Sequence, residues 1–116
     1  MRNYFTDKEI SCKCCGVVKC DEDFLILLNQ TRASAGIPFI INSWYRCLKH
    51  NTEIGSKPTS SHIKGCAADI KCEDSVSRSK ILSALITFGF TRIGIAKNFI
   101  HVDNDKEKPE GVIWLY

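Results

Sequence analysis

The sequence contains no apolar run approaching the about 20 residues that cross a bilayer, which excludes a membrane-spanning helix. Its opening, Met1-Arg2-Asn3-Tyr4-Phe5-Thr6-Asp7-Lys8-Glu9, lacks the apolar stretch of a secretory signal, so the expectation is a chain made in the cytoplasm. Charge of one sign is scarce as well. Sixteen Lys+Arg against 13 Asp+Glu leave +3 over 116 residues, too little and too scattered to argue for a nucleic-acid partner. No repeat, low-complexity tract or linker is visible, and the length suits one domain over residues 1–116. Histidine is rare, with three in the whole chain, so the places where it falls carry information.

Cysteine is abundant. There are seven, an odd number, and at least one has no intramolecular disulfide partner. Cys12, Cys14, Cys15 and Cys20 fall close together, while Cys47, Cys66 and Cys72 are dispersed. A cytosolic chain keeps thiols reduced, so the cluster reads either as a metal site or as ordinary buried and surface thiols. The second Cys pair, or the His pair, that completes a common zinc knuckle is missing from the pattern.

Asp21-Glu22-Asp23 before Phe24-Leu25-Ile26-Leu27-Leu28, with Gly36 and Pro38 at the far end, predicts a helix over 21–35. Phe39-Ile40-Ile41-Asn42-Ser43 predicts a short buried strand running into Trp44-Tyr45-Arg46. Residues 48–61, with Gly55 and Pro58, read as mostly loop with room for one helical turn. Val76, Ile81, Leu82, Leu85 and Ile86 predict a second helix over 75–88, closed by Gly89. The period then changes: 92–96, 99–103 and 112–115 read as strands of a small antiparallel meander. Helices first and strands last, without βαβ alternation, predict an α+β fold with a small antiparallel sheet flanked by helices.

Two segments carry the chemistry. In Ser60-Ser61-His62-Ile63-Lys64-Gly65-Cys66-Ala67-Ala68-Asp69-Ile70, a strand entered near Gly65 places Gly65, Ala67 and Asp69 on one face, nearly bare of side chains. His62, in the preceding loop, is then a second group able to reach that face. In Phe99-Ile100-His101-Val102-Asp103, alternation sends His101 and Asp103 together to one face. His62, Asp69 and His101 make two imidazoles and one carboxylate, a ligand set suited to zinc with a fourth position open to water. The plainer reading makes Gly65 a turn, the alanines core, His62 a surface residue and His101–Asp103 a hydrogen-bonded pair.

The pattern Ser60-x-His62-x-x-Gly65-x-Ala67-x-Asp69, followed by His101-x-Asp103, resembles the zinc D-Ala-D-Ala carboxypeptidases of peptidase family M15, which include peptidoglycan endopeptidases. Ser43-Trp44-Tyr45-Arg46, with His50-Asn51 and Gly55 after it, is similar to the family's Ser-x-Tyr-Arg stretch, and Glu9-Ile10-x-Cys12-x-x-Cys15-Gly16 looks like the opening of phage-type members. The resemblance implies the hedgehog/DD-peptidase fold and one Zn²⁺ held by His62, Asp69 and His101; apart from the resemblance, the cysteine spacing leaves a second ion at the early cysteines as a lesser alternative. It also implies hydrolysis of a peptide bond of the peptidoglycan stem or cross-bridge by metal-activated water, as a D-Ala-D-Ala carboxypeptidase or an endolysin-type endopeptidase. Arg46 would bind the substrate carboxylate or stabilise the developing oxyanion, and Ser60 would contact substrate or cap its loop.

Several family members carry an acid three positions before the last histidine, where this chain has Asn98. Asp103 is the candidate replacement as general base; its competing role is to accept a hydrogen bond from a ligand imidazole and orient it. Glu53, Glu73 and Asp74 are looser candidates for the base, and His50 either lines a groove or lies on the surface. The implied protein is a monomer of phage or prophage type that reaches the cell wall after release or on a virion. Two other functional classes stay open: a zinc-containing domain of the same fold that binds wall or partner without cutting, and an interaction module whose metal sits in the early cysteines.

Overall fold

The computed structural model describes residues 2–116. In chain order the elements are α1 (Asp7–Ile10), α2 (Glu22–Ala35), β1 (Ile41–Ser43), α3 (Leu48–Glu53), a 3-10 turn (Ser61–Lys64), β2 (Ala67–Lys71), α4 (Ser75–Thr87), β3 (Arg92–Ile95), β4 (Phe99–Asp103) and β5 (Val112–Leu115). The fold is α+β, with one five-stranded sheet in the order β1-β2-β4-β3-β5.

The two long helices start where side chains can hold free amides. Asp21 accepts from Phe24 N at 2.8 Å at the head of α2, and Asp74 accepts from Ser77 N at 2.7 Å at the head of α4. Gly36, at φ +72°, ends α2 in the left-handed conformation that a side chain would oppose. Phe24, Leu28 and Thr31 are buried at helical spacing along α2, and Ile81, Ala84 and Leu85 along α4. Val76 and Ile86, counted on the apolar face by sequence periodicity, are exposed. At about 100° per residue both fall well away from the narrow Ile81–Ala84–Leu85 stripe.

These stripes meet one face of the sheet. Phe24, Leu28, Ile81, Leu85 and Phe90 form a buried cluster with Ile70 of β2, Ile93 of β3 and Ile100 and Val102 of β4. Strand alternation then dictates that Ala67, Asp69, Arg92, Gly94, Phe99, His101 and Asp103 share the opposite face. The functional side chains come from that face.

Two parts of the architecture depart from the sequence expectation. The last strand does not extend an antiparallel meander: β5 pairs with β3 and runs parallel to it, Gly94 opposite Trp114. The chain turns back after β4 but passes to the far side of β3; because β3 is antiparallel to β4, a strand reversed from β4 lies parallel to β3. The stretch read mostly as loop forms the six-residue α3, whose head is capped by the Cys47 sulfur accepting from His50 N at 3.4 Å.

Candidate metal centre

His62 is brought to the sheet by the 3-10 turn. Ser60 caps its start, Gly65 ends it at φ +72°, and His62 itself is 2% exposed. A Cβ at Gly65 would lie 2.5 Å from the Lys19 carbonyl oxygen, so the glycine serves both the left-handed turn and the close passage of the 19–20 segment. His62 Nδ1 lies 2.6 Å from the Trp44 carbonyl oxygen. A carbonyl only accepts, so Nδ1 carries a proton toward Trp44, and Nε2 is left facing Asp69 Oδ1 at 3.3 Å.

Asp69 and His101 are direct cross-strand partners on β2 and β4. His101 Nδ1 is 2.9 Å from the same Asp69 Oδ1, and its Nε2 is 2.7 Å from Asp103 Oδ2. The three ligand atoms of His62, Asp69 and His101 lie within 4.8 Å of one another. Metal–ligand bonds of about 2.0–2.1 Å in a tetrahedron separate ligand atoms by about 3.3 Å, and the two distances to Asp69 Oδ1, 3.3 and 2.9 Å, lie close to that value. Two imidazoles and one carboxylate, each ring held from behind by an acceptor, fit a divalent ion with a free position toward the cavity.

The charges respond to this crowding. Burial pushes the Asp69 carboxyl up, but hydrogen bonds from His101 and His62 outweigh it and hold it well below the usual carboxylate range. Burial works against a charged His101, yet its bonds to Asp103 and Asp69 raise it above the ordinary imidazole value. Asp103, 1% exposed, is likewise opposed by burial and lowered by His101, Arg92 and the Asp105 amide. Its Oδ1 accepts from Arg92 Nε at 2.7 Å and from Asp105 N at 3.0 Å, and its Oδ2 faces His101, so neither oxygen is free.

Around these groups opens a cavity of about 430 Å³, lined among others by Arg46, Ser60, Lys57, Lys108, Trp114 and Tyr116. Arg46 Nη2 donates to Ser60 Oγ at 3.1 Å, while its buried Nε has no partner among the described residues. Asn98 lies exposed in the β3–β4 turn and, like His50, Glu53, Glu73 and Asp74, outside the cavity lining. Asp74 caps α4, and Glu73 pairs with Lys71 at 3.6 Å.

Four contributors to the site were not singled out in the sequence. Trp114 leans on the His101 ring at 5.5 Å between centroids and under the Arg92 guanidinium at 5.1 Å. Tyr116 packs on Phe99. Arg92 holds Asp103. Asp105 accepts from Ser61 Oγ and Lys64 Nζ, both at 2.8 Å, and so ties the His62 turn to the end of β4. The signal available was parity: Arg92 and Asp103 are register partners, and Trp114 follows once β5 is known to lie beside Gly94.

A family model described as Peptidase M15 matches residues 3–103, most of the chain and all three converging side chains. The chain belongs to peptidase family M15. No curated protein matches it. As an M15 peptidase it has its matched region end at Asp103, so β5, with Trp114 and Tyr116, lies beyond the part the family model covers.

Proposed function

We propose that the protein is a zinc-dependent peptidase acting on peptide bonds of bacterial peptidoglycan. The observation that carries this is the convergence of His62 Nε2, Asp69 Oδ1 and His101 Nδ1 beside a cavity that also holds an incompletely paired guanidinium. When bound there, zinc polarises the scissile carbonyl and lowers the pKa of a coordinated water toward neutrality. The residues of the chain do the rest. His62 and His101 are fixed in orientation by the Trp44 carbonyl and Asp103, and Asp69 sets the charge between them.

Arg46 supplies the substrate anchor. Its Nη2 is steadied by Ser60, which holds the guanidinium at the cavity wall for a carboxylate or a developing oxyanion. Lys57 and Lys108 line the same space, whereas Asp69 and Asp103 are its only acids among the described residues and both are engaged. The lining therefore favours a carboxylate-bearing peptide. Asp103 acts in this reading as a positioning residue for His101 and not as the base.

Purified, zinc-loaded protein incubated with isolated peptidoglycan should release new free amino groups, and the mass of the products assigns a terminal residue or a cross-link as the bond cut. No release from folded, metal-loaded protein overturns the peptidase reading. The commitment of both oxygens of Asp103 also favours a second reading, a zinc-holding domain that binds wall peptides without cutting them. Sedimentation with peptidoglycan in the absence of amine release is its signature.

A further inference from the structure

The early cysteines do not gather as their spacing suggests. Cys20 stays apart, its thiol directed to the Asp21 carbonyl at 3.5 Å, and Cys47 takes its place from 33 residues beyond Cys14. The sulfurs of Cys12, Cys14 and Cys47 lie within 4.8 Å of one another, with Cys14 Sγ 3.8 Å from Cys47 Sγ. Cys15 follows Cys14 in the same turn, with its thiol exposed beside this group of three. Zinc–sulfur bonds of about 2.3 Å in a tetrahedron separate the sulfurs by about 3.8 Å.

The backbone around them is shaped accordingly. Cys12 to Val17 turns back on itself, Cys12 N donating to Val17 O and Gly16 N to Cys12 O, both at 2.9 Å, with Gly16 at φ +73°. Cys12-x-x-Cys15-Gly16 thus forms a knuckle, and Cys47 supplies the group from a second segment that the linear pattern lacked. Amides point at two of the sulfurs: Cys47 N lies 3.4 Å from Cys12 Sγ, and His50 N 3.4 Å from Cys47 Sγ. Cys14 and Cys15 are exposed, which leaves an ion a way in.

We propose that Cys12, Cys14, Cys15 and Cys47 hold a structural zinc ion, separate from the His62, Asp69 and His101 centre. Binding releases the thiol protons to solvent and leaves four thiolates on the ion. Its placement has a consequence for the cavity. Cys47 follows Arg46 in the chain, and Tyr45 N donates to Ile10 O at 3.0 Å, so the ion staples the N-terminal segment to the stretch that presents the guanidinium.

The test is independent of the peptidase reading. Protein prepared under thiol reductant should carry two zinc ions per chain by elemental mass spectrometry; His62→Ala should keep one, and the Cys14→Ser/Cys47→Ser pair should keep the other. Cobalt-substituted wild-type protein should show sulfur-to-cobalt charge-transfer absorption that survives in His62→Ala, a readout that does not require the cysteine variant to fold. A cobalt spectrum without that absorption overturns the proposal. So does a single ion that His62→Ala removes, or a Cys14–Cys47 disulfide in reduced preparations.

Discussion

Asp103 shows how one carboxylate can be spent on geometry. One oxygen fixes the His101 ring and the other neutralises Arg92 from the neighbouring strand. Asp103→Asn keeps the shape but loses the charge that orients His101, and the expected outcome is a 10–100-fold loss, roughly, in zinc affinity, read by competition with a chelating dye. A base would behave differently: zinc affinity would hold and only turnover would fall. Gly94 is constrained for another reason. A Cβ there would sit 2.6 Å from the Trp114 indole and 2.7 Å from the Tyr116 ring. Gly94→Ala must push back the wall of the cavity, and a loss of about 1–3 kcal/mol in urea denaturation is expected, with altered Trp fluorescence. Arg46→Lys replaces a planar fork with a point charge; on a cleaved wall peptide it should raise KM more than it lowers kcat if the guanidinium anchors a ground-state carboxylate.

At the level of elements, the 3-10 turn carrying His62 is held mainly by its neighbours. Arg46 N donates to the His62 carbonyl at 3.2 Å, and Asp105 grips Ser61 and Lys64. Asp105→Ala removes a buried acceptor shared by both, so about 1–3 kcal/mol of stability should go, and zinc affinity should fall with it because the turn loosens. If affinity is unchanged, the turn is rigid without Asp105. The same elements show what a sequence can display. Asp21, Gly36 and Gly89 mark helix ends by local chemistry; the observed α2 begins and ends within a residue of its marks, and α4 ends two residues before Gly89. Parity on β2 and β4 is also local, which is why Asp69 can be set opposite Ile70, and His101 and Asp103 opposite Ile100 and Val102, before any pairing is known; that the two strands share the face needs their pairing. The direction of β5 is not local. Alternation in Val112-Ile113-Trp114-Leu115 reads the same in either direction, and only the path of residues 104–111 decides the partner. The cap of α3 was hidden because a cysteine sulfur is a weak acceptor that sequence patterns do not mark as helix-starting.

Across the whole molecule, the site ties stability to pH and metal together. Asp69, Asp103 and Asp105 all lie below the ordinary carboxylate value in the folded state, Asp105 because its bonds from Lys64 and Ser61 outweigh burial. Each therefore contributes stability that is present above the unfolded value of about 3.9 and lost as pH falls through the folded one. His101 has the opposite sign. Raised by Asp103 and Asp69 against the effect of burial, it contributes stability to the metal-free protein below the unfolded value of about 6.5, and this is lost as pH rises through its folded value. The metal-free protein should accordingly be most stable between the two ranges and lose Tm on the alkaline side. Zinc ligation at His101 Nδ1 needs that proton gone, so added zinc should raise Tm most where the metal-free protein is weakest, above the His101 transition, and least in acid. Thermal scans from pH 4 to 9 with and without zinc measure this; in a Cys14→Ser/Cys47→Ser background they report the His62, Asp69 and His101 centre alone. A zinc-induced shift in that background that is the same at every pH would show that no protonated ring is displaced, and the charge arrangement drawn around His101 would be wrong.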